Sequence, residues 1–217
     1  MSVDAGRPTP IVPGSPTADG DPTPAGATHP SWGPAFTRTV TWYDPLATAR
    51  RGRQLSGIEF LEAIRRGDLA PPPVASLLGF TIEEVEVGRV VFACTPDDSV
   101  YNPIGVVHGG LVCTLADTVI GCALQTTLPL GSTYTSIGLD VSYLRPVTSG
   151  SELRATGTVT KPGRRVGFAA AEIVDGTGRS VATVTGSCLV MEVTPPGPSP
   201  ADPSAAGPTD RPPSYCR

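Results

Sequence analysis

The chain has 217 residues, a formal net charge of -4 and a pI near 5.1. That length allows one domain with tails, and the acidic balance excludes the basic footprint that a nucleic-acid-binding domain carries. Five cysteines (94, 113, 122, 188 and 216) show no Cys-x-x-Cys pair. Those inside apolar patterns read as small reduced core residues, which suits a cytoplasmic protein.

Sixteen of the 25 prolines fall in 1–34 and 195–217, among Ala, Gly, Ser, Thr and Asp. Such segments cannot bury enough apolar surface to offset chain entropy, so both are expected to be disordered tails. No apolar signal core stands at the start, and no run is apolar enough to span a membrane without carrying Asp117. Residues 35–76 read as an N-terminal extension with short helices. Ala35–Tyr43 alternates loosely and fits either a short strand or an extended arm. Asp44-Pro45 opens a short helix through about Arg51. Ser56 with Glu59 forms a capping box before the periodic residues Leu61 and Ile64, and this helix ends near Gly67. Arg50, Arg51, Arg53, Arg65 and Arg66 read as a solvated face, with contact to a ligand phosphate as the alternative.

From residue 77 the pattern changes. After a helical turn ending at Gly79, Phe80–Val87 and Arg89–Thr95 alternate as two strands around Gly88. Three more strands are expected over about Tyr134–Arg145, Glu152–Lys161 and Gly167–Asp175, then a last one over Arg179–Glu192 after the turn Asp175-Gly176-Thr177-Gly178. Alternation along the first of these three places Ser136, Gly138, Asp140 and Ser142 on one face, with Ile137, Leu139, Val141 and Tyr143 on the other. Between the strand pairs runs Asn102-Pro103-Ile104-Gly105-Val106-Val107-His108-Gly109-Gly110, a loop on its Pro and Gly spacing. It leads into Leu111–Leu124, an apolar run whose one charge is Asp117. The run is too long for an ordinary strand and apolar on every face, so it reads as a helix buried on most sides, with Asp117 facing solvent from an exposed edge as the alternative to a buried acid. Five or six antiparallel strands with that helix in the middle make an α+β domain over 77–194, a sheet curled around one helix.

A lone carboxylate on a buried helix is costly, and function is the leading way to repay the cost. The free N–H groups at the start of the same helix carry the positive end of its dipole, and Gly109 and Gly110 let a substrate approach closely. A developing oxyanion would be stabilised there. One His (His108) in the fold region, with no Cys or carboxylate at ligand spacing, argues against a metal site, and no Gly-x-Ser-x-Gly elbow is present.

Asn102-Pro-x-Gly-x-x-His108-Gly109-Gly110, followed by an acid nine residues after the His, resembles the PaaI-type acyl-CoA thioesterases of the hotdog fold. Ser136–Val147, with its Tyr143-Leu144-Arg145-Pro146, and the hairpin at Asp175–Ala182 resemble the same family in the same order. The resemblance spans roughly Leu77 to Met191. It implies a thioester hydrolase without cofactor, acting on an acyl-CoA; the pocket it implies between subunits is apolar, so an aromatic or medium-chain acyl group is expected. It assigns Asp117 as base or nucleophile and Asn102 as a partner of substrate or loop. It makes Ser136, or Thr135 if the register slips by one, the residue that positions the attacking water. His108 would orient the loop, and Gly109 N–H would receive the oxyanion. Arg145, Lys161, Arg164 and Arg165 are candidate contacts for CoA phosphates, against a default of charged surface turns.

Gly109 and Asp117 are eight residues apart, about 12 Å along a helix, too far for both to meet one carbonyl. Two antiparallel helices of a symmetric pair solve this, so a homodimer or a dimer of dimers is expected, with Asn102, His108 and Gly109 of one chain facing Asp117 of the other. The rivals are a non-catalytic acyl-CoA-binding hotdog protein, which a missing acid would favour, and a hotdog dehydratase or hydratase.

Overall fold

The computed structural model describes residues 33–192. The tails expected at 1–34 and 195–217 lie outside those residues, except for Gly33 and Pro34. Residues 33–38 have no regular structure, and 39–192 make one compact unit. The strand considered for 35–43 is absent, because no other strand pairs with that stretch.

Three short helices come first. Asp44 caps α1 (Pro45–Gly52), its Oδ1 accepting the Leu46 N–H at 2.8 Å. Ser56 opens α2 (Gly57–Arg65), its N–H and hydroxyl donating to Glu59 Oε2 at 2.9 and 2.6 Å. The proline run then starts α3 (Pro73–Leu78) with a residue that needs no N–H partner. Gly79 ends α3 at φ 74°, a left-handed cap.

Six strands follow: β1 (Phe80–Glu86), β2 (Arg89–Cys94), β3 (Ser132–Tyr143), β4 (Leu153–Lys161), β5 (Val166–Val174) and β6 (Ser180–Glu192). They form one sheet in the order β1-β2-β4-β5-β6-β3, every pair antiparallel. The long helix α4 (Gly109–Gln125) lies against one face, as the hotdog resemblance implies, and buries Leu111, Leu115, Val119, Ile120 and Leu124 there. Consecutive apolar residues with no Pro let one helix present a broad apolar surface to a curved sheet. β3 is an edge strand of 12 residues with one side unpaired in the protomer.

The strict alternation expected along β3 is corrected. A bulge between Ser136 and Gly138 shifts the register against β6. An extra residue reverses the parity of side-chain directions beyond it. Tyr134 and, past the bulge, Leu139 and Val141 all pack toward the core, so Ser136 shares their face instead of opposing it.

The helix sits close to β4 because Gly157 has no side chain. A Cβ there would lie 2.2 Å from the Val119 carbonyl oxygen, a backbone atom that cannot swing aside. Gly157→Ala should destabilise the fold by about 2 kcal/mol or more and lower Tm by about 4–8 °C in calorimetry. Gly176→Ala, whose Cβ meets nothing closer than 3.5 Å, should leave Tm within about 2 °C.

Candidate active site

The loop before α4 is tied at both edges. Val107 N–H donates to the Val147 carbonyl at 2.9 Å, and His108 N–H to the Val100 carbonyl at 2.8 Å. Asn102 closes the loop on itself: its Oδ1 accepts the Ile104 N–H at 3.0 Å and the Val106 N–H at 3.4 Å. This is the local turn chemistry that favours Asn. It consumes the oxygen of the side chain and leaves the Nδ2 amide as the group able to donate to a substrate.

His108 is the N-cap of α4, its Nδ1 accepting the Gly110 N–H at 2.8 Å. That bond assigns the proton of a neutral imidazole to Nε2. With Gly110 satisfied, the Gly109 N–H has no partner among the described residues and sits at the positive end of a 17-residue helix. The Tyr143 hydroxyl donates to the Gly109 carbonyl at 3.1 Å, and its ring would crowd a Cβ at position 109 at 3.2 Å. Tyr143 was assigned no role from sequence. Its position in the Tyr-Leu-Arg-Pro run offered no hint that it packs on the loop glycine.

Asp117 lies two turns further on, about 12 Å along the axis. It is half-buried in the protomer, between the buried acid expected and the solvent-facing one weighed against it. The stripe of α4 that meets the sheet passes through Leu115, Ala116, Val119 and Ile120, and Asp117 stands on the flank beside it. The Ser136 hydroxyl donates to Asp117 Oδ1 at 2.6 Å. The β3 bulge makes this contact possible by turning Ser136 to the helix side. Thr135, the alternative to Ser136, makes no such bond.

Other groups around the carboxylate stay neutral. Burial, with the charge of Asp117 next in effect, pushes the Cys122 thiol up to about 12. Burial likewise drives the Tyr134 phenol well above its usual range. Burial also raises Cys188, across the strand pair from Ser136. No thiolate is therefore available here at neutral pH.

The structure thus joins Asp117 to Ser136, and groups Asn102, His108 and Gly109 at the other end of the helix. Within one chain it does not bring the two groups together. Arg145 donates through Nη1 to the Ser180 carbonyl. Arg164 and Arg165 lie exposed in the β4–β5 turn, at the opposite end of the sheet from Arg145. Among the described residues no cluster of three His, Cys, Asp or Glu could hold a metal ion, and no helix is long and apolar enough to cross a membrane.

A family model described as the thioesterase superfamily matches residues 104–182, from the loop through the start of β6. The chain is 28% identical over 103 residues to acyl-coenzyme A thioesterase 13 of Homo sapiens, covering 47% of this chain and 73% of that one. It is 31% identical over 115 residues to a candidate esterase of Pseudomonas aeruginosa, covering 52% and 85%. The PaaI protein of the Escherichia coli phenylacetic acid degradation operon superposes with a TM-score of 0.56 at 26% identity, covering 64% of this chain and 99% of that one.

The cap on α4 has a measurable weight. His108→Ala should cost about 1 kcal/mol in equilibrium urea unfolding, because the Gly110 N–H loses its acceptor. His108→Asp, which supplies a carboxylate acceptor at the same position, should recover most of that loss.

Proposed function

The chain belongs to the thioesterase superfamily of hotdog-fold thioester hydrolases, and from that premise we propose that it hydrolyses an acyl-CoA whose acyl group is aromatic or of medium length. The observation that carries this reading is the Asp117–Ser136 pair, bonded at 2.6 Å. Asp117 of the pair lines a largely apolar cavity of about 500 Å³, together with Thr118, Cys122 and Tyr134.

The chemistry follows from the groups present. Ser136 occupies Oδ1 of Asp117, so Oδ2 accepts a proton from water as the water oxygen attacks the thioester carbonyl carbon. The electrons of the carbonyl bond move to its oxygen, which meets a free Gly109 N–H at a helix N-terminus. Collapse breaks the C–S bond and releases the CoA thiol, which takes the proton from the Asp117 carboxyl, and the free acid. The Asn102 Nδ2 amide is placed to hold the substrate carbonyl or the loop.

Both groups must come from different chains. The helix is continuous from Gly109 to Gln125, so the oxyanion donor and the carboxylate cannot converge within one copy. The unpaired edge of β3 supports a symmetric homodimer in which β3 pairs with its own copy, antiparallel, about an axis near Leu139. Tyr143, beside Gly109, then comes level with Ser136 of the partner subunit, and Asp117 beside that. The same axis favours the phosphate contacts. The Arg165 carbonyl accepts the Val190 N–H, and Val190 pairs with Tyr134. Arg145 of one chain would therefore stand near Arg164 and Arg165 of the partner subunit. The four described cysteines are all free, which supports the cytoplasmic, reducing compartment proposed for the protein.

Asp117→Asn should lower kcat by about 10²-fold or more while leaving Tm and dimer mass unchanged. The shared site has its own test, in which Asp117→Ala is mixed with Asn102→Asp under subunit exchange. Asn102→Asp keeps the oxygen that closes the loop and removes the amide donor. Each parent should be nearly inactive. A heterodimer gathers both lesions in one site and leaves the other intact, so about half of wild-type activity should return. Demonstrable heterodimer as inactive as its parents would refute sharing, given a defect in Asn102→Asp alone.

A further inference from the structure

The cavity beside Asp117 is built within one protomer, and its outer wall comes from the N-terminal helices. Phe60 and Ile64 of α2 and Val74 of α3 face Phe80, Ile82 and Phe92 of the sheet across it. Helix α2 carries two apolar stripes. Leu61 and Ala63 are buried in the fold itself, at 4% and 7% exposure. Phe60 and Ile64, one turn apart, form a second stripe that remains half-buried and lines the cavity. Phe60 also packs against the edge of the core, whereas Ile64 is not part of that packing. An apolar surface of this kind, kept open beside a carboxylate, suits a ligand.

The wall is also held in place. Gly57 N–H donates to the Leu128 carbonyl at 3.0 Å, and a Cβ on Gly57 would fall 1.7 Å from the Gln125 carbonyl oxygen. The start of α2 is therefore pressed onto the end of α4. At the other end, Asp68 and Leu69 N–H both donate to the Ala63 carbonyl, at 2.8 and 3.1 Å, and Leu69 is buried. Arg65, which also lines the cavity, is paired with Glu62 through Nε and Nη2 at 3.1 and 2.9 Å.

Resting on the thioesterase reading above, we infer that α2 and α3 are the length-setting wall of an acyl pocket contained in each protomer, with Phe60, Ile64 and Val74 as the specificity-determining residues. The pocket takes an unbranched apolar acyl tail of medium length. The thioester end lies at Asp117, and the tail runs beneath α2 toward α3.

The test separates binding from turnover by using S-alkyl-CoA thioethers, which cannot be hydrolysed, in a series from ethyl to hexadecyl. In calorimetry on the intact dimer, Kd should tighten about fourfold per added methylene up to a limit and then level off. Ile64→Ala should move the limit to longer chains. Ile64→Trp should move it to shorter ones, weakening the longest fully bound thioether about 16-fold if two methylenes are excluded. Val74→Trp, on the exposed rim at 40% accessibility, should shorten the limit in the same direction and carries little folding risk. Val87→Ser, on the β1–β2 turn away from the cavity, should leave the series unchanged. A limit unmoved by Ile64→Ala and by Val74→Trp in folded protein would overturn the inference. Length-dependent binding shifted by these variants, without turnover of any acyl-CoA, would overturn the thioesterase reading and leave the pocket standing. Turnover with no length dependence would overturn the pocket alone.

Discussion

Everything in this molecule depends on the rigidity of one buried helix. α4 runs from Gly109 to Gln125 without a break and presses its apolar surface into the sheet. Its first turn is the source of an unpaired N–H, and its third turn carries a carboxylate. A helix packed this closely cannot bend to bring the two together. The separation of about 12 Å is thus a fixed quantity of the fold, and any chemistry using both groups must be solved by assembly. The free edge of β3 belongs to the same problem, because a long unpaired strand beside the carboxylate is the surface that the proposed homodimer would pair.

The bulge in β3 is the second local device. Without it Ser136 would point away from α4 and toward the face that carries Asp140 and Ser142. With it, Ser136 reaches Asp117 while Leu139 and Val141 still fill the core. A bulge costs a ladder bond and is found where a side chain must be re-aimed. Here the re-aimed side chain bonds the one carboxylate of the helix. The neutral neighbours Cys122 and Tyr134 complete the arrangement, since burial prevents both from competing for the proton that Asp117 would accept.

Much of this was legible in the amino-acid order. The Pro and Gly spacing of 102–110, the apolar run after it and the alternation of the strands placed the loop, the helix and all six strands within a few residues of where they lie. Capping at Ser56 and Asp44 was readable because it depends on side chains two or three positions apart. The bulge was not. It is set by register against β6, a strand some fifty residues away, and period-2 reasoning assumes that no residue is inserted. The half-exposure of Asp117 was legible only as the lesser alternative, for a related reason. An all-apolar helix gives no sign of which flank a curved sheet leaves uncovered. The loop role of the Asn102 oxygen was readable as turn chemistry, whereas the contact of Tyr143 with Gly109 joins residues 34 positions apart and has no local signature.

The N-terminal helices show how the same apolar residues can serve folding and recognition at once. α2 is attached to the domain by Leu61 and by the close seat of Gly57 on the end of α4. That attachment positions Phe60 and Ile64 over the cavity, so the shape of the cavity is inherited from backbone contacts at its far end. Side-chain changes on the second stripe can then alter the cavity while the anchor holds. Changes at Gly57 would move the whole wall, because a methyl group there meets a carbonyl that belongs to α4. Binding selectivity and the docking of α2 are therefore separable at Ile64 and inseparable at Gly57, a division that follows from which contacts involve backbone and which involve side chains alone.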